Sequence, residues 1–444
     1  VEMKGEDLEM KEITTYQEAL NFIHGRTKFK KSPQLDRMRL FVAKLGHPER
    51  SFKAIHVTGT NGKGSTVAFL RELFLSQGLH VGTYTSPFII RFNDRITFDK
   101  KMISDQDLVD LVNQVRPIVA QLDEELADQE GGPTEFEIIT AIMFLYFARK
   151  KPDIAIIEVG IGGKFDSTNV IDPLVSVITT VAHDHAKLLG NTLAEIATHK
   201  AGIIKHQRPV VIGNLPSAAR QVVDLQAKSK EATVYAAGKD FSIKVYPAKQ
   251  WGESIDYSGL GYHLTNLQLS LFGSFQPANA AVSLTAFILV AKQLHLTWKT
   301  KEVKQALAQT KWPGRFELVN SQPAVVLDGA HNLAAFIQLK QTLLTYFKGR
   351  KVYVIVSILA DKQPQAMLEQ ILQIPDLEII GTSFAAPRKV ADLKSLATTS
   401  KKISYQADWR IALAQTVAKM STEDLLLICG SLYFVSEVRH YFAD

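Results

Sequence analysis

Apolar residues along the chain follow two spacings, short continuous runs and a helical period. Short runs bounded by glycine, proline or charged residues predict buried strands, and apolar residues three and four positions apart predict helices. The strands predicted in the first part of the chain are 52–56, 80–84, 153–159, 175–181 and 209–213. The helices predicted there are 16–24, 35–45, 66–75, 104–123, 135–150, 275–294 and 300–309. This alternation predicts a mostly parallel sheet with helices on both faces.

Two further segments divide the chain. Residues 232–272 are more polar and strand-like, which predicts a small antiparallel addition, and residues 311–315 carry the proline and glycine typical of an interdomain link. Beyond the link the alternation restarts, with predicted strands 324–327, 351–357, 377–381 and 425–429 and predicted helices 333–346, 364–372 and a closing helix. We therefore expect an α/β protein with a larger domain over 1–310, a linker over 311–315 and a smaller Rossmann-like domain over 316–444.

Composition narrows the class of protein. A chain of 444 residues is too long for one core, and its 46% hydrophobic and 22% charged residues are typical of a soluble globular protein. There is no apolar run of about 18 residues, and residues 1–7 lack the apolar core of a signal peptide, so we expect a cytoplasmic protein without a membrane span. The single cysteine, Cys429, is predicted to be a core residue. The lysines behind the net charge of +6 are scattered rather than clustered in a stripe, and a mild positive charge suits small polyanions as well as nucleic acid. We expect no nucleic-acid partner.

The most informative stretch is 57–65, Val-Thr-Gly-Thr-Asn-Gly-Lys-Gly-Ser, between a predicted strand and a predicted helix. Glycines let backbone N–H groups approach a phosphate, the helix N-terminus and Lys63 add positive charge, and the Ser65 hydroxyl is a candidate magnesium ligand. The usual phosphate loop has four residues between its glycines and none between its lysine and hydroxyl residues, whereas Gly64 intervenes here. A glycine-rich turn without a ligand is the alternative, but the lysine and serine in register favour an anion site.

Other polar residues follow predicted strands, at the sheet edge where ligands bind in open α/β folds. Ser86 is a candidate magnesium ligand within 85–88, although Ser-Pro is commonly only a turn. Glu158 ends an apolar run, where a lone carboxylate is costly unless it is paired or holds a metal. The His-Asp-His of 183–185 fits either a metal or proton-transfer cluster or a solvated loop, and both alternatives stay open.

Covalent catalysis by a side chain is disfavoured, because the sequence has no Gly-x-Ser-x-Gly elbow and no plausible catalytic cysteine. Phosphate and magnesium chemistry is favoured instead. Lys200, beside a histidine and ahead of a glycine, would be read as a surface helix end on this pattern alone. Asp328 and His331 lie on a strand-to-helix turn, again at a carboxyl edge.

Taken in order, these motifs resemble the ATP-dependent Mur ligase superfamily and, within it, the folylpolyglutamate synthase and dihydrofolate synthase branch. The segments that carry the resemblance are 58–65, 84–88, 158–163, 184–185, 199–205, 328–332 and 430–433. The irregular glycine spacing is the family's own version of the loop. Lys164, Phe165 and Gln363 depart from the family pattern, which leaves the substrate preference less defined than the reaction type.

The resemblance implies a two-domain ligase whose N-terminal domain binds ATP and whose C-terminal domain closes over it. It implies that the phosphates are cradled by Gly59, Thr60, Asn61, Gly62, Lys63, Gly64 and Ser65. It implies two magnesium ions, one held by Ser86 and Glu158 and one by His185, with Ser65 as a further ligand and Lys200 as a carbamylated lysine that contributes a metal-binding carboxylate. It implies nucleotide contacts by Asn279, Arg315 and Asp328, and contacts to the incoming amino acid by His331 and Ser431. It also implies a pterin-seating loop over 85–96 that includes Thr85, Pro87, Phe88, Arg91 and Phe92. Lys63, His185, Lys200, Asp328 and His331 form the implied catalytic set.

The implied reaction adds L-glutamate to the γ-carboxylate of a reduced folate through an acyl phosphate, with ADP and phosphate released. We expect a monomer whose partners are small molecules. Dihydrofolate synthase, which adds glutamate to dihydropteroate, and a bifunctional enzyme are the near alternatives. A nucleic-acid-stimulated phosphate-loop ATPase is the alternative from another class, and it leaves Glu158, His185 and Lys200 without a purpose.

Overall fold

The computed structural model describes residues 11–27, 34–128, 131–248, 251–386, 388–398 and 400–442. The segment 1–7, which bears on the signal-peptide prediction, and the extreme ends of the two predicted domains lie outside these residues. Within them the protein is α/β, with three sheets, as the sequence predicts.

The largest sheet has eight strands and is built from the first half of the chain. They are β1 (Ala54–Thr58), β2 (Val81–Tyr84), β3 (Ile96–Phe98), β4 (Lys101–Met102), β5 (Ile154–Glu158), β6 (Val175–Ile178), β7 (Val210–Ile212) and β8 (Val234–Ala236). Their order is β4-β3-β2-β5-β1-β6-β7-β8, and all neighbours pair in parallel except the two pairs that involve β3 and β4 at one edge. Because β1 and β5 are adjacent and pair in parallel, the residues that follow them meet at one edge of the sheet.

Helices cover both faces of this sheet. They are α1 (Tyr16–His24), α2 (Asp36–Lys44), α3 (Lys63–Leu75), α4 (Asp105–Glu125), α5 (Glu135–Lys150), α6 (Ala186–Leu189), α7 (Leu193–Ala201), α8 (Ser217–Ser229), α9 (Gln276–Gln293) and α10 (Thr300–Gln309). Short 3₁₀ helices span Pro48–Arg50, Phe92–Arg95 and Ser167–Val170. Helices α3 and α9 lie in one apolar core with β1, β5 and β6, which fixes the start of α3 beneath α9.

The predicted antiparallel addition is a three-stranded sheet of β9 (Phe241–Tyr246), β10 (Glu253–Gly259) and β11 (Tyr262–Leu269), in the order β11-β10-β9. One part of the prediction is corrected, since β8 belongs to the large sheet and pairs in parallel with β7. A parallel neighbour needs a crossover, which α8 provides and which the sequence reading did not include.

The last part of the chain forms a six-stranded sheet. Its strands are β12 (Glu317–Ser321), β13 (Ala324–Leu327), β14 (Val352–Val356), β15 (Leu377–Ser383), β16 (Ile403–Asp408) and β17 (Leu425–Cys429). Its helices are α11 (Leu333–Tyr346), α12 (Pro364–Ile371), α13 (Leu393–Ala397), α14 (Trp409–Lys419) and α15 (Leu432–Tyr441). The order β12-β13-β17-β14-β15-β16 is parallel apart from β12, and β12, β16, α13 and α14 were not predicted.

Four aromatic rings join the two halves of the chain, and we call them the aromatic seam: Trp251, Phe272, Phe316 and Phe347. Trp251 stacks on Phe272 at 4.5 Å between ring centroids, and Phe272 stacks on Phe316 at 5.1 Å. Phe272 precedes the predicted linker 311–315, but it belongs to the apolar core of the part of the chain that follows the linker. Beside the seam, the Tyr346 hydroxyl donates to the buried Glu253 carboxylate at 2.6 Å.

Two expectations from composition meet the structure here. Cys429 is buried, and burial raises the pKa of its thiol well above the usual value, as suits a core residue. Within the described ranges, no helix combines the length and the apolar character that a membrane crossing needs.

Candidate active site

The loop between β1 and α3 has the shape of an anion cradle. Gly62 precedes the first turn of α3 with a φ of +88°, and a Cβ there would lie 2.4 Å from the Asn279 side-chain oxygen. A Cβ on Gly59 would lie 1.8 Å from the Thr179 hydroxyl oxygen. Only glycine fits at these two points, so the loop closes tightly around the N-terminus of α3, whose free N–H groups favour a bound phosphate.

Neighbouring strands hold this cradle in place. The Thr60 hydroxyl donates to the Ala182 carbonyl at 3.0 Å and accepts from the Ala182 N–H at 2.9 Å. The Asn61 N–H donates to the Thr180 hydroxyl at 3.0 Å, and the Asn61 carbonyl accepts from the Thr179 hydroxyl at 2.6 Å. Thr60 and Asn61 therefore shape the loop through their hydrogen bonds to the segment that follows β6.

Lys63 is the cation of the loop. Its Nζ donates to the Gly59 carbonyl at 3.0 Å and to the Thr60 carbonyl at 3.3 Å. Burial lowers the pKa of Lys63, against the opposing charges of Glu158 and Asp184. The Lys63 ammonium is thus held beside the loop, and the nearby negative charges only partly offset its burial. This environment suits binding of a phosphate group.

Glu158 ends β5 as a buried carboxylate. Its best polar contact is the Ser86 N–H, at 3.4 Å from its Oε2. Burial raises the pKa of Glu158 to about 6, although Lys63 and Arg315 oppose that effect. The structure therefore brings Ser86 and Glu158 together and leaves the carboxylate short of donors, as expected for a site that takes a cation.

Asp184 links the two halves of the chain. Its Oδ1 accepts from the Lys362 Nζ at 2.6 Å, and its Oδ2 accepts from the Asn332 amide at 2.9 Å. Asn332 also exchanges two hydrogen bonds with the Asn61 amide, at 3.0 and 3.2 Å. These contacts place the start of α11 directly over the phosphate loop.

Two imidazoles flank Asp184. The Nε2 atoms of His185 and His331 lie 3.9 and 3.8 Å from its Oδ2. Burial lowers the pKa of each histidine to about 4, against the raising effect of Asp184. The His331 Nδ1 faces the Gly329 carbonyl at 2.8 Å, so a neutral ring donates its proton there and leaves Nε2 as an acceptor.

Lys200 lies on the last turn of α7, only 3% exposed. Burial lowers its pKa to about 7, and the nearby Lys63 charge lowers it further in the same direction. Among the described residues, the Lys200 ammonium has no hydrogen-bond or salt-bridge partner. A buried amine that is partly neutral near pH 7 is the form that reacts with carbon dioxide, so the environment fits carbamylation.

Arg315 is the last residue of the predicted linker and reaches the same edge. Its Nη1 lies 2.3 Å from the point where a Cβ on Gly329 would stand, and it makes no hydrogen bond to another described residue. Burial lowers the pKa of Arg315, while Asp328 and Glu158 oppose that effect. The Asp328 carboxylate accepts from the Phe316 and Ala330 N–H groups, both at 2.8 Å, so it orders the backbone next to Arg315 and next to Gly329.

Three further predicted residues have distinct surroundings. The Ser431 hydroxyl is buried at the N-terminus of α15 without a hydrogen-bond partner in the described structure. Asn279 packs on Gly62 and donates to Gln276 at 3.0 Å. The Ser65 hydroxyl accepts from the Gln276 amide at 3.3 Å, so it faces α9 as well as the loop.

The predicted pterin-seating loop is ordered by Arg95, which lies within the predicted segment 85–96. Its Nη1 donates to the Ser86 hydroxyl at 3.0 Å, and its guanidinium lies 5.4 and 5.6 Å from the ring centroids of Phe88 and Phe92. Arg91 instead pairs with Asp105 at 2.5 Å, on the more exposed side of the loop. Thr85 and Pro87 flank Ser86, and the Thr85 N–H donates to the Arg95 carbonyl at 2.9 Å.

The donor set fits magnesium in a specific sense. Among the described residues, no three His, Cys, Asp or Glu side chains lie close enough together to hold a metal by themselves. Magnesium bound with a nucleotide needs only one or two protein ligands, since phosphates and water fill the rest of its octahedron. Glu158 beside Ser86 supplies such a small set.

Several residues of this edge were missed by the sequence reading. Asp184 was named only within its motif, Asn332 and Lys362 were given no role of their own, and Arg95 was expected only as part of the pterin-seating loop over 85–96. Lys362 and Asn332 both follow predicted strands at a carboxyl edge, which was the available signal. Their pairing with Asp184 and Asn61 depends on how the two sheets face each other, and no local pattern contains that information.

Comparison with known families agrees with this geometry. The Mur ligase middle domain matches residues 57–287, and the Mur ligase glutamate ligase domain matches residues 314–432. Both matches begin within a few residues of the loop and the linker described above. Fold and site together define a Mur-type ligase.

Relatives and solved structures give the branch. A dihydrofolate synthase/folylpolyglutamate synthase of Bacillus subtilis is 41% identical over 96% of this chain and 99% of its own length. A folylpolyglutamate synthase of Lacticaseibacillus casei is 37% identical over 96% and 98%. A solved FPGS–AMPPCP–folate complex has 36% identity and a TM-score of 0.86, over 97% of this chain and all of the other. The Mycobacterium tuberculosis folylpolyglutamate synthase complexed with ADP has 28% identity and a TM-score of 0.89, over 97% and 98%. The chain belongs to the folylpolyglutamate synthase and dihydrofolate synthase branch of the Mur ligase family.

Proposed function

We propose that this protein uses ATP to join L-glutamate to the γ-carboxylate of a reduced folate and releases ADP and phosphate. The observation that carries the proposal is the meeting of Lys63, Glu158 and Arg315 around the phosphate loop, where Asp184 joins the two halves of the chain. The names of the relatives, and the AMPPCP, folate and ADP complexes among the similar structures, support the same substrates.

The nucleotide occupies the phosphate loop in this proposal. The backbone of 59–65 binds the β- and γ-phosphates, and Lys63 exchanges its carbonyl contacts for phosphate oxygens. Asn279 and Asp328 position the nucleoside. Arg315, which has no hydrogen bond to another described residue, supplies a second cation from the other half of the chain.

We propose two magnesium sites, with Ser86 and Glu158 at one and His185 and a carbamylated Lys200 at the other, and Ser65 within reach of the nucleotide's phosphates. Bound magnesium would neutralise phosphate charge. Ser86 is already fixed by Arg95, and Glu158 by the end of β5, so both oxygens are held before a ligand arrives.

The chain's own residues then align two substrates. The folate γ-carboxylate attacks the γ-phosphorus, ADP leaves, and the glutamate amine displaces phosphate from the resulting acyl phosphate. Ser431 at the start of α15 binds a carboxylate of glutamate, and the His331 Nε2 accepts a hydrogen bond from the amine. Asn332 and Lys362, which close the second half onto Asp184, help to exclude water from the acyl phosphate.

Dihydrofolate synthase activity is the alternative with a specific support, since the Bacillus subtilis relative carries both names. One assay separates the readings. The purified protein is given MgATP and L-glutamate with either tetrahydrofolate or dihydropteroate, and ADP release is followed. Turnover with tetrahydrofolate alone supports the synthase of chain extension, and turnover with both supports a bifunctional enzyme. Turnover with dihydropteroate alone, or with neither, contradicts the proposal.

Three further parts of the reading stay predictions: a monomer, a cytoplasmic location and domain limits of 1–310 and 316–444 with a linker at 311–315. Light scattering during size-exclusion chromatography tests the first. For the limits, we expect hydrogen exchange in increasing denaturant to show one core on each side of 311–315, the two losing protection in separate steps. Loss of protection in one common step would contradict them.

A further inference from the structure

Gly64, the glycine that departs from the usual phosphate-loop pattern, lies against the indole of Trp312. A Cβ on Gly64 would stand 2.6 Å from the Trp312 Nε1 and 2.9 Å from two carbons of the same ring. Gly64 is inside α3 and has no positive φ, so its backbone conformation is open to any residue. The indole, rather than the backbone, is what excludes a side chain here.

The contact is one of shape. The Trp312 Nε1 is buried and has no hydrogen-bond partner among the described residues, and the ring packs on the core that contains α3 and α9. A buried donor without a partner is costly. Since that donor makes no hydrogen bond, the flat ring over Gly64 is the part of Trp312 that the fold uses.

The segment that carries Trp312 is fastened at both ends. On the α3 side, the Lys311 carbonyl accepts from the Arg71 Nη2 at 3.3 Å. On the other side, the Gly314 carbonyl accepts from the Gly329 N–H at 2.8 Å, and the Gly314 N–H donates to Glu317 at 2.8 Å. A segment this short and this well fastened cannot absorb a shift of Trp312 internally.

Arg315 is three residues beyond Trp312 on the same segment. Its guanidinium rests against Gly329 without a hydrogen bond to a described residue, so its place depends on the backbone that carries it. Gly64, Trp312 and Arg315 therefore form a continuous path from the first turn of α3 to the second half of the chain.

We propose that Trp312 is a positioning residue. Its packing against Gly64 fixes the position of the linker, so that Arg315 reaches the phosphate of a nucleotide bound in the loop. The extra glycine is present to seat this ring. The inference rests on the proposed function only in assuming that a nucleotide occupies the loop.

The packing of Trp312 against Gly64 is tested by thermal unfolding of the ligand-free protein. We expect Gly64→Ala to lower the melting temperature, because the methyl group meets the indole. In a Trp312→Ala background the same substitution should leave the melting temperature unchanged or raise it, because alanine favours a helix over glycine. If Gly64→Ala lowered the melting temperature equally in both backgrounds, the proposed contact between Trp312 and Gly64 would be wrong.

The coupling is tested by the affinity for Mg-AMPPCP, measured by calorimetry, which needs no folate turnover. We expect Trp312→Ala to weaken binding about tenfold and Trp312→Phe to stay within about threefold of the parent. Trp298→Ala, a control tryptophan that packs on Tyr262 and Phe287, should have no effect. In an Arg315→Ala background, Trp312→Ala should change affinity by less than about twofold.

Equal losses in the presence and absence of Arg315, or unchanged affinity in Trp312→Ala, would overturn the coupling. Should Trp312→Ala not fold, Trp312→Leu in the same two backgrounds gives the same comparison. Failure of the proposed function has a different signature: the parent protein would bind Mg-AMPPCP with the expected variant pattern but release no ADP with folate and glutamate.

Discussion

The Lys362 Nζ lies 2.6 Å from the Asp184 Oδ1, with 8% and 7% of the two side chains exposed. Lys362 follows β14, in the part of the chain after the linker, and Asp184 follows β6, in the part before it. Asn332 adds a second donor to the same carboxylate. This ion pair holds the C-terminal sheet over the phosphate loop.

Lys362→Met should lower the free energy of unfolding by about 3 kcal/mol, because it leaves a buried carboxylate without its cation. Asp184→Asn/Lys362→Met should recover part of that loss, since neither charge is then left alone. Chemical denaturation of the three proteins measures both effects.

The matched control for this pair is adjacent in sequence. Asp361 pairs with Arg388 at 2.6 Å, but both side chains are more than 40% exposed. Asp361→Asn should change the free energy of unfolding by no more than about 0.5 kcal/mol. A similar loss in Asp361→Asn and Lys362→Met would show that the Asp184 contact has no special weight.

Glu158→Gln should stabilise the ligand-free protein and reduce its activity. Burial raises the pKa of Glu158 to about 6, so an ionised carboxylate at pH 7.5 costs on the order of 2 kcal/mol that glutamine avoids. ADP release should need at least about tenfold more magnesium, and chelation should abolish it in the parent protein. A less stable variant with an unchanged magnesium requirement would contradict the assignment.

Lys200→Ala should lose ADP release that short-chain carboxylic acids partly restore, because a free carboxylate can take the place of the carbamate. Lys205 is the control, since burial also lowers its pKa, to about 8, but its Nζ donates to the Asn169 carbonyl at 2.8 Å. Lys205→Ala should show no such rescue. ¹³C NMR after addition of labelled bicarbonate should show a carbamate in the parent that is absent from Lys200→Ala.

Ser431→Ala should raise the KM for glutamate about tenfold with little change in the KM for ATP, because a lost hydrogen bond to a charged group costs about 1.5 kcal/mol. Its melting temperature should not fall, since the hydroxyl has no protein partner among the described residues. Ser357→Ala should behave in the opposite way, because the buried Ser357 hydroxyl donates to the Thr382 carbonyl at 2.9 Å. An unchanged KM for glutamate in Ser431→Ala would remove Ser431 from the substrate site.

Local pattern was sufficient for much of this protein. The glycines of 59–62, the buried run that ends in Glu158 and the long apolar helix α9 each carry their structural reason in consecutive residues. The family resemblance, confirmed by both domain matches, then supplied roles that pattern alone left open, above all for Lys200.

Contacts between the two parts of the chain could not be predicted from the sequence. The pairing of Lys362 with Asp184 joins residues 178 positions apart, and Trp312 lies on Gly64 across a still longer stretch of chain. Short strands such as β3, β12 and β16 were missed because their hydrogen-bonded neighbours, rather than their own apolar content, define them.

The aromatic seam has a consequence for dissecting the molecule. A fragment that ends before Phe316 would leave Trp251 and Phe272 without the rings that cover them, and a fragment that starts there would lose Phe272 from its own core. Each fragment would expose hydrophobic aromatic surface to solvent and would tend to aggregate. The two halves are therefore best studied by point substitution in the intact chain, or by co-expression of both pieces so that they can reassemble.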